Sequence, residues 1–206
     1  MFTGIVQGKA TLIAIEDRGE FRRHTVRLPQ ELSDNLQIGA SVAHNGCCLT
    51  ITEFQNNEVA FDLIAETLRC TNLGSLQVDD VVNIERAARF GDEIGGHVMS
   101  GHITTTTDII AIENTDFNTT IWFKLPESCK PYVLSKGFVG LDGCSLTIGD
   151  VLPDRFNVHL IPETLERTLF GQRQVGDAIN IEVDAQTQAI VDTVSRILAQ
   201  QQTSVK

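Results

Sequence analysis

The sequence lacks a long apolar run, an excess of basic charge, and an even or dense set of cysteines, and each absence removes a class of function. No stretch of its 206 residues approaches the roughly 18–20 consecutive apolar residues that a helix needs to cross a bilayer, so a membrane-spanning helix is excluded. Sixteen basic residues against 27 acidic ones leave a net charge of -11, which repels phosphate backbones and anionic lipid, so neither nucleic acid nor a membrane surface is an expected partner. Five cysteines are an odd number in a chain too long to be a disulfide scaffold, and Cys47 and Cys48 are adjacent, where a bridge would be strained. Free thiols in a reducing cytoplasm are expected. The opening MFTGIVQGK has no basic segment followed by an apolar one, so it reads as part of the fold and not as a secretory signal. Phosphate-binding glycine loops and a nucleophile elbow are missing too, which disfavours nucleotide-driven chemistry and serine-type hydrolysis.

What the chain does contain is a duplication. Residues 1–85 overlay residues 98–182 at a constant offset of 97 without a gap. Gly4 falls on Gly101, Ile13 to Glu16 on Ile110 to Glu113, Leu28-Pro29 on Leu125-Pro126, and GCCLTI at 46–51 on GCSLTI at 143–148. This period is longer than that of a solenoid or propeller repeat, so each copy is expected to be a small domain with its own core. Short alternating runs rich in Val, Ile, Thr and Phe, such as VAFDLI and FNVHLI, read as strands. About six of them per copy predict a closed antiparallel barrel, which leaves no sheet edge exposed. Tight reversals are expected at Asn56-Asn57 and Pro153-Asp154. Short helices are expected after Pro29 and Pro126, and at ETLRCTNLG and ETLERTLFG, where the closing glycine suits a helix C-terminus. The segment RAARFGDEIGG at 86–96 breaks the pattern and reads as a linker. Three units result: a barrel over 1–97, a barrel over 98–185, and a terminal helix and tail over 186–206. In the last, Ile190, Val191, Val194, Ile197 and Leu198 share one helical face, suited to packing on its own barrel or to self-association.

Two like barrels imply two like pockets, and so two similar small molecules per chain. Chemistry is then to be sought where the copies differ: Cys48 against Ser145, Ile5 against His102, Phe2 against Met99, and Ser41 against Phe138. Cys48 is a potential nucleophile, and His102 can exchange a proton near neutral pH. Cys47 and Cys144 lie on the opposite face of their strand and read as core, while Cys70 and Cys129 carry no signal. His24 and His44 read as ordinary polar positions. His97 and His102 are five apart, which suits no common metal-ligand spacing, so a metal is not expected.

MFTGIV, NGCCLT at 45–50, GGHVMSGHI at 95–103, DGCSLT at 142–147 and LIPETLERT at 160–168, in this order on a two-copy framework, resemble the alpha-chain riboflavin synthase family along essentially the whole chain. The resemblance implies an all-β fold of two six-stranded Greek-key barrels and a C-terminal helix, assembled as a homotrimer largely through those helices, with association with a lumazine synthase shell a further possibility. It implies the last step of riboflavin formation, in which two 6,7-dimethyl-8-ribityllumazines dismutate to riboflavin and a ribitylaminouracil without an added cofactor. A non-catalytic lumazine or flavin antenna protein is the alternative. Lumazine contacts carried over from the family are Gly4, Ile5, Val6, Cys48, Leu49, Thr50, Asp62, Leu63, Ile64, Ala65, Glu66 and Thr67, assigned to the first barrel. Gly101, His102, Ile103, Ser145, Leu146, Thr147, His159, Leu160, Ile161, Pro162, Glu163 and Thr164 are assigned to the second. Lys136 reaches across from a neighbouring chain. Cys48 and His102 are expected to be catalytic, with Ser41 and Asp184 near them.

Overall fold

A computed structural model describes residues 1–115 and 118–204, with side chains to 201. In the first copy, β1 (Gly8–Asp17), β2 (Phe21–Arg27), β3 (Ser41–His44), β4 (Cys47–Gln55), β5 (Glu58–Ile64) and β6 (Val81–Arg86) form a closed antiparallel barrel in the order β1-β2-β5-β4-β3-β6. The second copy repeats that order with β7 (Thr105–Asn114), β8 (Thr119–Lys124), β9 (Phe138–Leu141), β10 (Cys144–Val151), β11 (Arg155–Leu160) and β12 (Ala178–Val183). Irregularities recur at equivalent places, between Leu12 and Ala14 and between Ile109 and Ala111, so even the bulges that bend the long first strand were duplicated. In each barrel the β-branched and aromatic residues point inward: Val26, Val59, Phe61, Val82 and Ile84 in one, Ile121, Phe123, Phe156, Val158 and Ile181 in the other.

The reversal after β4 is the two-residue turn Asn56-Asn57, with Asn56 in the left-handed region, whereas Leu152 lengthens its second-copy counterpart to three residues. Asn45-Gly46 and Asp142-Gly143 make two further hairpins, all four residues with positive φ, the conformation that two-residue hairpins favour. The tips of these hairpins meet. A Cβ on Gly46 would lie 2.7 Å from the backbone of Gly143, so glycine is required there for close approach as well as for backbone conformation.

Of the expected helices, α1 (Gln30–Ser33) follows Pro29, but 127–132, after Pro126, form only turns. The helices α2 (Ala65–Cys70) and α3 (Pro162–Arg167) form, each followed by a 3-10 turn at Asn72–Ser75 or Leu169–Gly171. Gly74 and Gly171 are not left-handed caps as expected. They are needed because a Cβ would sit 2.3 Å from the carbonyl oxygen of Leu68 or 2.4 Å from that of Leu165. His24 and His44 are not ordinary polar positions either: each is 1% exposed inside the first barrel, where the second has Ile121 and Leu141.

The barrels are joined by a buried polar seam that follows the duplication. Asn83 donates to the carbonyl of Asp142 at 3.0 Å and accepts from Leu169 N–H at 2.9 Å. Asn180 donates to the carbonyl of Asn45 at 2.9 Å and accepts from Asn72 N–H at 2.7 Å. Arg173 pairs with the buried Asp142 carboxylate. The last helix, α4 (Ala185–Ser204), is tethered to the second barrel by Tyr132, whose hydroxyl donates to Asp192 at 2.6 Å. Ile190, Val194, Ile197 and Leu198 remain exposed, so packing of that apolar face on its own barrel is not what the structure shows.

Candidate functional site

The chain segments ahead of each barrel do not stay with it. Residues 1–6 cross to the second barrel: the carbonyl of Gly4 accepts from Ser145 N–H at 2.8 Å, and Val6 is buried in the second core. Residues 98–103 cross the other way: the carbonyl of Gly101 accepts from Cys48 N–H at 2.9 Å, and Ile103 packs on the first core. Where the two segments pass, Phe2 and Met99 form an antiparallel bridge with reciprocal bonds of 2.8 and 3.0 Å, and both are buried. Each segment re-enters its own barrel at Gln7 or Thr104, which donate to Ile84 and Ile181.

This exchange corrects the expected grouping of contacts. Gly4, Ile5 and Val6 belong with Ser145, Leu146, Glu163 and Thr164, which together with Arg167 and Thr168 line a cavity of about 320 Å³ on the second barrel. Gly101, His102 and Ile103 belong with Cys48 on the first. The physical reason is that the first half of β4 or β10, 47–50 or 144–147, is paired on one side only within its own barrel, and the lead-in segment of the other copy bonds to the open side. As a result, Cys48 shares one barrel with the segment that carries the exposed His102, while their counterparts Ser145 and Ile5 line a cavity on the other.

Both crossing segments are clamped by buried glutamates. Glu85 accepts from Thr3 N–H (2.6 Å), Thr3 Oγ1 (2.8 Å) and Gly4 N–H (3.1 Å). Glu182 accepts from Ser100 N–H (2.7 Å), Ser100 Oγ (2.8 Å) and Gly101 N–H (3.1 Å). Burial pushes both carboxyls above the ordinary glutamate range, and these hydrogen bonds work against it.

The family model for the lumazine binding domain matches residues 3–87 and 100–184, one match per barrel. Riboflavin synthase of Escherichia coli (strain K12) is 60% identical over 200 residues, covering 97% of this chain and 94% of that protein. That of Chlamydia pneumoniae is 41% identical, covering 97% and 98%.

The chain belongs to the riboflavin synthase family.

Among solved structures, LumP complexed with riboflavin superimposes with a TM-score of 0.82 at 26% identity, covering 89% of this chain and all of that one. LumP complexed with 6,7-dimethyl-8-(1'-D-ribityl) lumazine gives 0.81 at 24%, a likeness of fold.

The remaining positions expected from the resemblance fall into three groups. Thr50, Asp62, Ile64, Ala65, Glu66 and Thr67, and their equivalents Thr147, His159, Ile161, Pro162, Glu163 and Thr164, lie on the outer surface of strands β4, β5, β10 and β11 and the helices that follow. Leu49, Leu63 and Leu160 point into the barrels at 5%, 0% and 1% exposure, so only their backbone can meet a ligand. Lys136 is exposed on a left-handed turn before β9, its N–H donating to the carbonyl of Ile148, the residue after Thr147.

The copies also differ in charge beside these positions. On the first barrel Arg23, nearly buried, reaches Asp62 at 2.7 and 3.0 Å and Glu53 at 2.5 Å. Its guanidinium holds the Asp62 carboxyl below the ordinary range. The second barrel has Thr120 and His159 at the equivalent places, in contact at 2.9 Å. Ser41 pairs with Thr50 across β3 and β4 and borders a separate cavity of about 290 Å³ with Gln37, Arg86 and Arg89. Asp184 caps α4, accepting from Thr187 N–H (3.0 Å) and Oγ1 (2.7 Å). Burial opposes its ionisation, yet these bonds and nearby His97 hold the carboxyl below its usual value.

Two features were not signalled by the sequence. His97 Nδ1 lies 2.6 Å from Ser145 Oγ, its ring stacks on Phe138 at 5.1 Å, and burial lowers its pKa against the pull of Asp184. Position 97 precedes the second copy and has no partner in the first, so comparing the copies could not reveal it. A cleft of about 450 Å³ at the barrel seam, lined by Asp79, Asp80, Arg173 and Asp177, holds none of the positions expected from the sequence.

Proposed function

We propose that this chain carries out the riboflavin synthase reaction: two molecules of 6,7-dimethyl-8-ribityllumazine bind, one passes a four-carbon unit to the other, and riboflavin and 5-amino-6-(D-ribitylamino)uracil leave. The single observation that carries the reading is the segment exchange, which groups Cys48 with His102 on one barrel and leaves Ser145 with Ile5 on the other. A carrier has no use for that asymmetry, whereas a dismutation needs identical molecules to meet unlike surroundings.

In this reading a proton leaves the acidified methyl of one lumazine and a nucleophile adds to the electron-poor ring of the other. His102 transfers the proton, and Cys48, or water beside it, adds. Ser41 and Asp184 stand near the reacting pair. Asp62, Glu66, Thr67, His159 and Thr164 offer partners for ribityl hydroxyls, and backbone groups around Thr50 and Thr147 pair with the pyrimidinedione edge. The reacting pair forms between the first barrel of one chain and the second barrel of a neighbour in a homotrimer, joined through the apolar face of α4, with Lys136 reaching across. Face-to-face binding alone supplies an effective molarity worth about 7–11 kcal/mol. The enzyme works in the cytoplasm, and docking with a lumazine synthase shell would hand it substrate directly.

Incubating the protein with the lumazine alone and following riboflavin absorbance tests this. One riboflavin per two lumazines consumed supports it. Tight binding without conversion would make the chain a non-catalytic lumazine-binding protein, and near-normal turnover by a folded Cys48→Ala variant would remove Cys48 from its role.

A further inference from the structure

We infer that Glu182, on the second barrel, is a positioning residue for the reactive groups on the first. The inference rests on the function proposed above for Cys48 and His102. Glu182 is 3% exposed on β12, and three donors converge on its carboxylate: Ser100 N–H, Ser100 Oγ and Gly101 N–H. Two short steps connect that carboxylate to the chemistry. Ser100 Oγ gives its proton to Glu182 and accepts the N–H of His102 at 3.1 Å, so the carboxylate fixes the backbone from which His102 projects. Gly101, held by its N–H, presents its carbonyl to Cys48 N–H at 2.9 Å. The turn has no slack, since a Cβ on Gly101 would stand 2.6 Å from the Cβ of Cys48.

A carboxylate is suited to this place because it accepts only. Glutamine would set its own NH2 against an N–H or O–H donor, leaving at least one buried group unpaired. Nothing in such a clamp requires that it serve catalysis, and the duplication supplies the comparison that decides. Glu85 makes the same three bonds to Thr3 and Gly4, and Gly4 holds Ser145 as Gly101 holds Cys48. The two glutamates are alike as structural latches. They differ only in what lies at the end of the latch: Cys48 and His102 for Glu182, Ser145 and Ile5 for Glu85.

The test compares E182Q with E85Q in the full chain. Steady-state turnover of 6,7-dimethyl-8-ribityllumazine gives kcat and KM. The rate of Cys48 alkylation by iodoacetamide, mapped by mass spectrometry with and without riboflavin, reports the first barrel directly. E182Q is expected to lower kcat on the order of 100-fold, the scale of a misplaced reacting group, and to abolish riboflavin protection of Cys48. E85Q is expected to act mainly on KM and to leave that protection intact. Equal losses in both variants with Cys48 protection unchanged would reduce Glu182 to a shared structural latch and overturn the inference, as would wild-type kcat in E182Q. Should E182Q fail to fold, Ser100→Ala removes the relay to His102 while keeping both backbone bonds; a kcat loss of about tenfold is expected, and an unchanged kcat overturns the inference. If the wild-type protein makes no riboflavin, the proposed function fails, and the Cys48 protection comparison still judges Glu182.

Discussion

Acid should destabilise the first barrel through two buried histidines. His24 and His44 are each 1% exposed, neither Nε2 has a hydrogen-bond partner among the described residues, and the ring of His44 packs edge-on to Phe61 at 4.3 Å. Burial is the main cause that lowers their pKa values from 6.5, to about 4 for His24 and about 3 for His44. A histidine kept neutral in the folded state contributes fully above its unfolded pKa, and that contribution is lost as pH falls from 6.5 toward the folded value, because only the unfolded chain takes up the proton. At pH 5 each histidine has lost about 2 kcal/mol relative to pH 7, together about 4 kcal/mol, a large part of the roughly 5–15 kcal/mol available to a typical domain. Urea unfolding followed by far-UV circular dichroism at pH 7 and pH 5 measures the loss. The double variant His24→Ile, His44→Leu copies the residues that the second barrel already carries and should remove most of the difference. If wild type and double variant lose the same stability between the two pH values, the histidines are not the acid-sensitive groups and the reasoning fails.

Other perturbations have equally specific outcomes. Asn180→Ala leaves the N–H of Asn72 and the carbonyl of Asn45 unpaired in the buried seam and should cost about 2–5 kcal/mol in a denaturant titration, against less than about 0.5 kcal/mol for a typical exposed substitution. Arg23→Met strands Asp62 and Glu53 beside each other without their shared cation; a loss of about 1–3 kcal/mol is expected, with ligand affinity falling on the first barrel and not the second, as read by Cys48 protection. Gly101→Ala should reduce riboflavin binding at the first barrel at least tenfold, because its Cβ meets Cys48, while Gly39→Ala, also at positive φ but with open space around it, should cost only the about 1–2 kcal/mol of the backbone conformation and leave binding intact. Unchanged binding in Gly101→Ala would show that the turn can shift.

Much of the fold was legible because duplication makes each copy a check on the other. Alternating Val, Ile and Phe marked strands in both, and a pattern seen twice at one offset is hard to mistake for a helix or loop. The errors fell where a local signal had more than one physical cause. Gly74 and Gly171 looked like left-handed caps, but their absent side chains make room for a carbonyl. Pro126 allows a helical turn, and here the chain forms only isolated turns. His24 and His44 carry no local sign of burial, since only closure of the barrel decides that β2 and β3 turn those positions inward.

For the site, the sequence alone determined which residues are chemically unlike between the copies: Cys48 against Ser145, and His102 against Ile5. It did not determine which of them share a pocket. Reading each copy as a self-contained unit pairs Cys48 with Ile5 and Ser145 with His102, and that pairing separates the thiol from the imidazole. Tertiary structure reverses it, because the segments ahead of β1 and β7 pass one another at Phe2 and Met99 and hydrogen-bond to the opposite barrel. Likeness of the copies hides the exchange from any local pattern: a glycine stands at both Gly4 and Gly101, and only the path of the chain through space decides which strand each one meets.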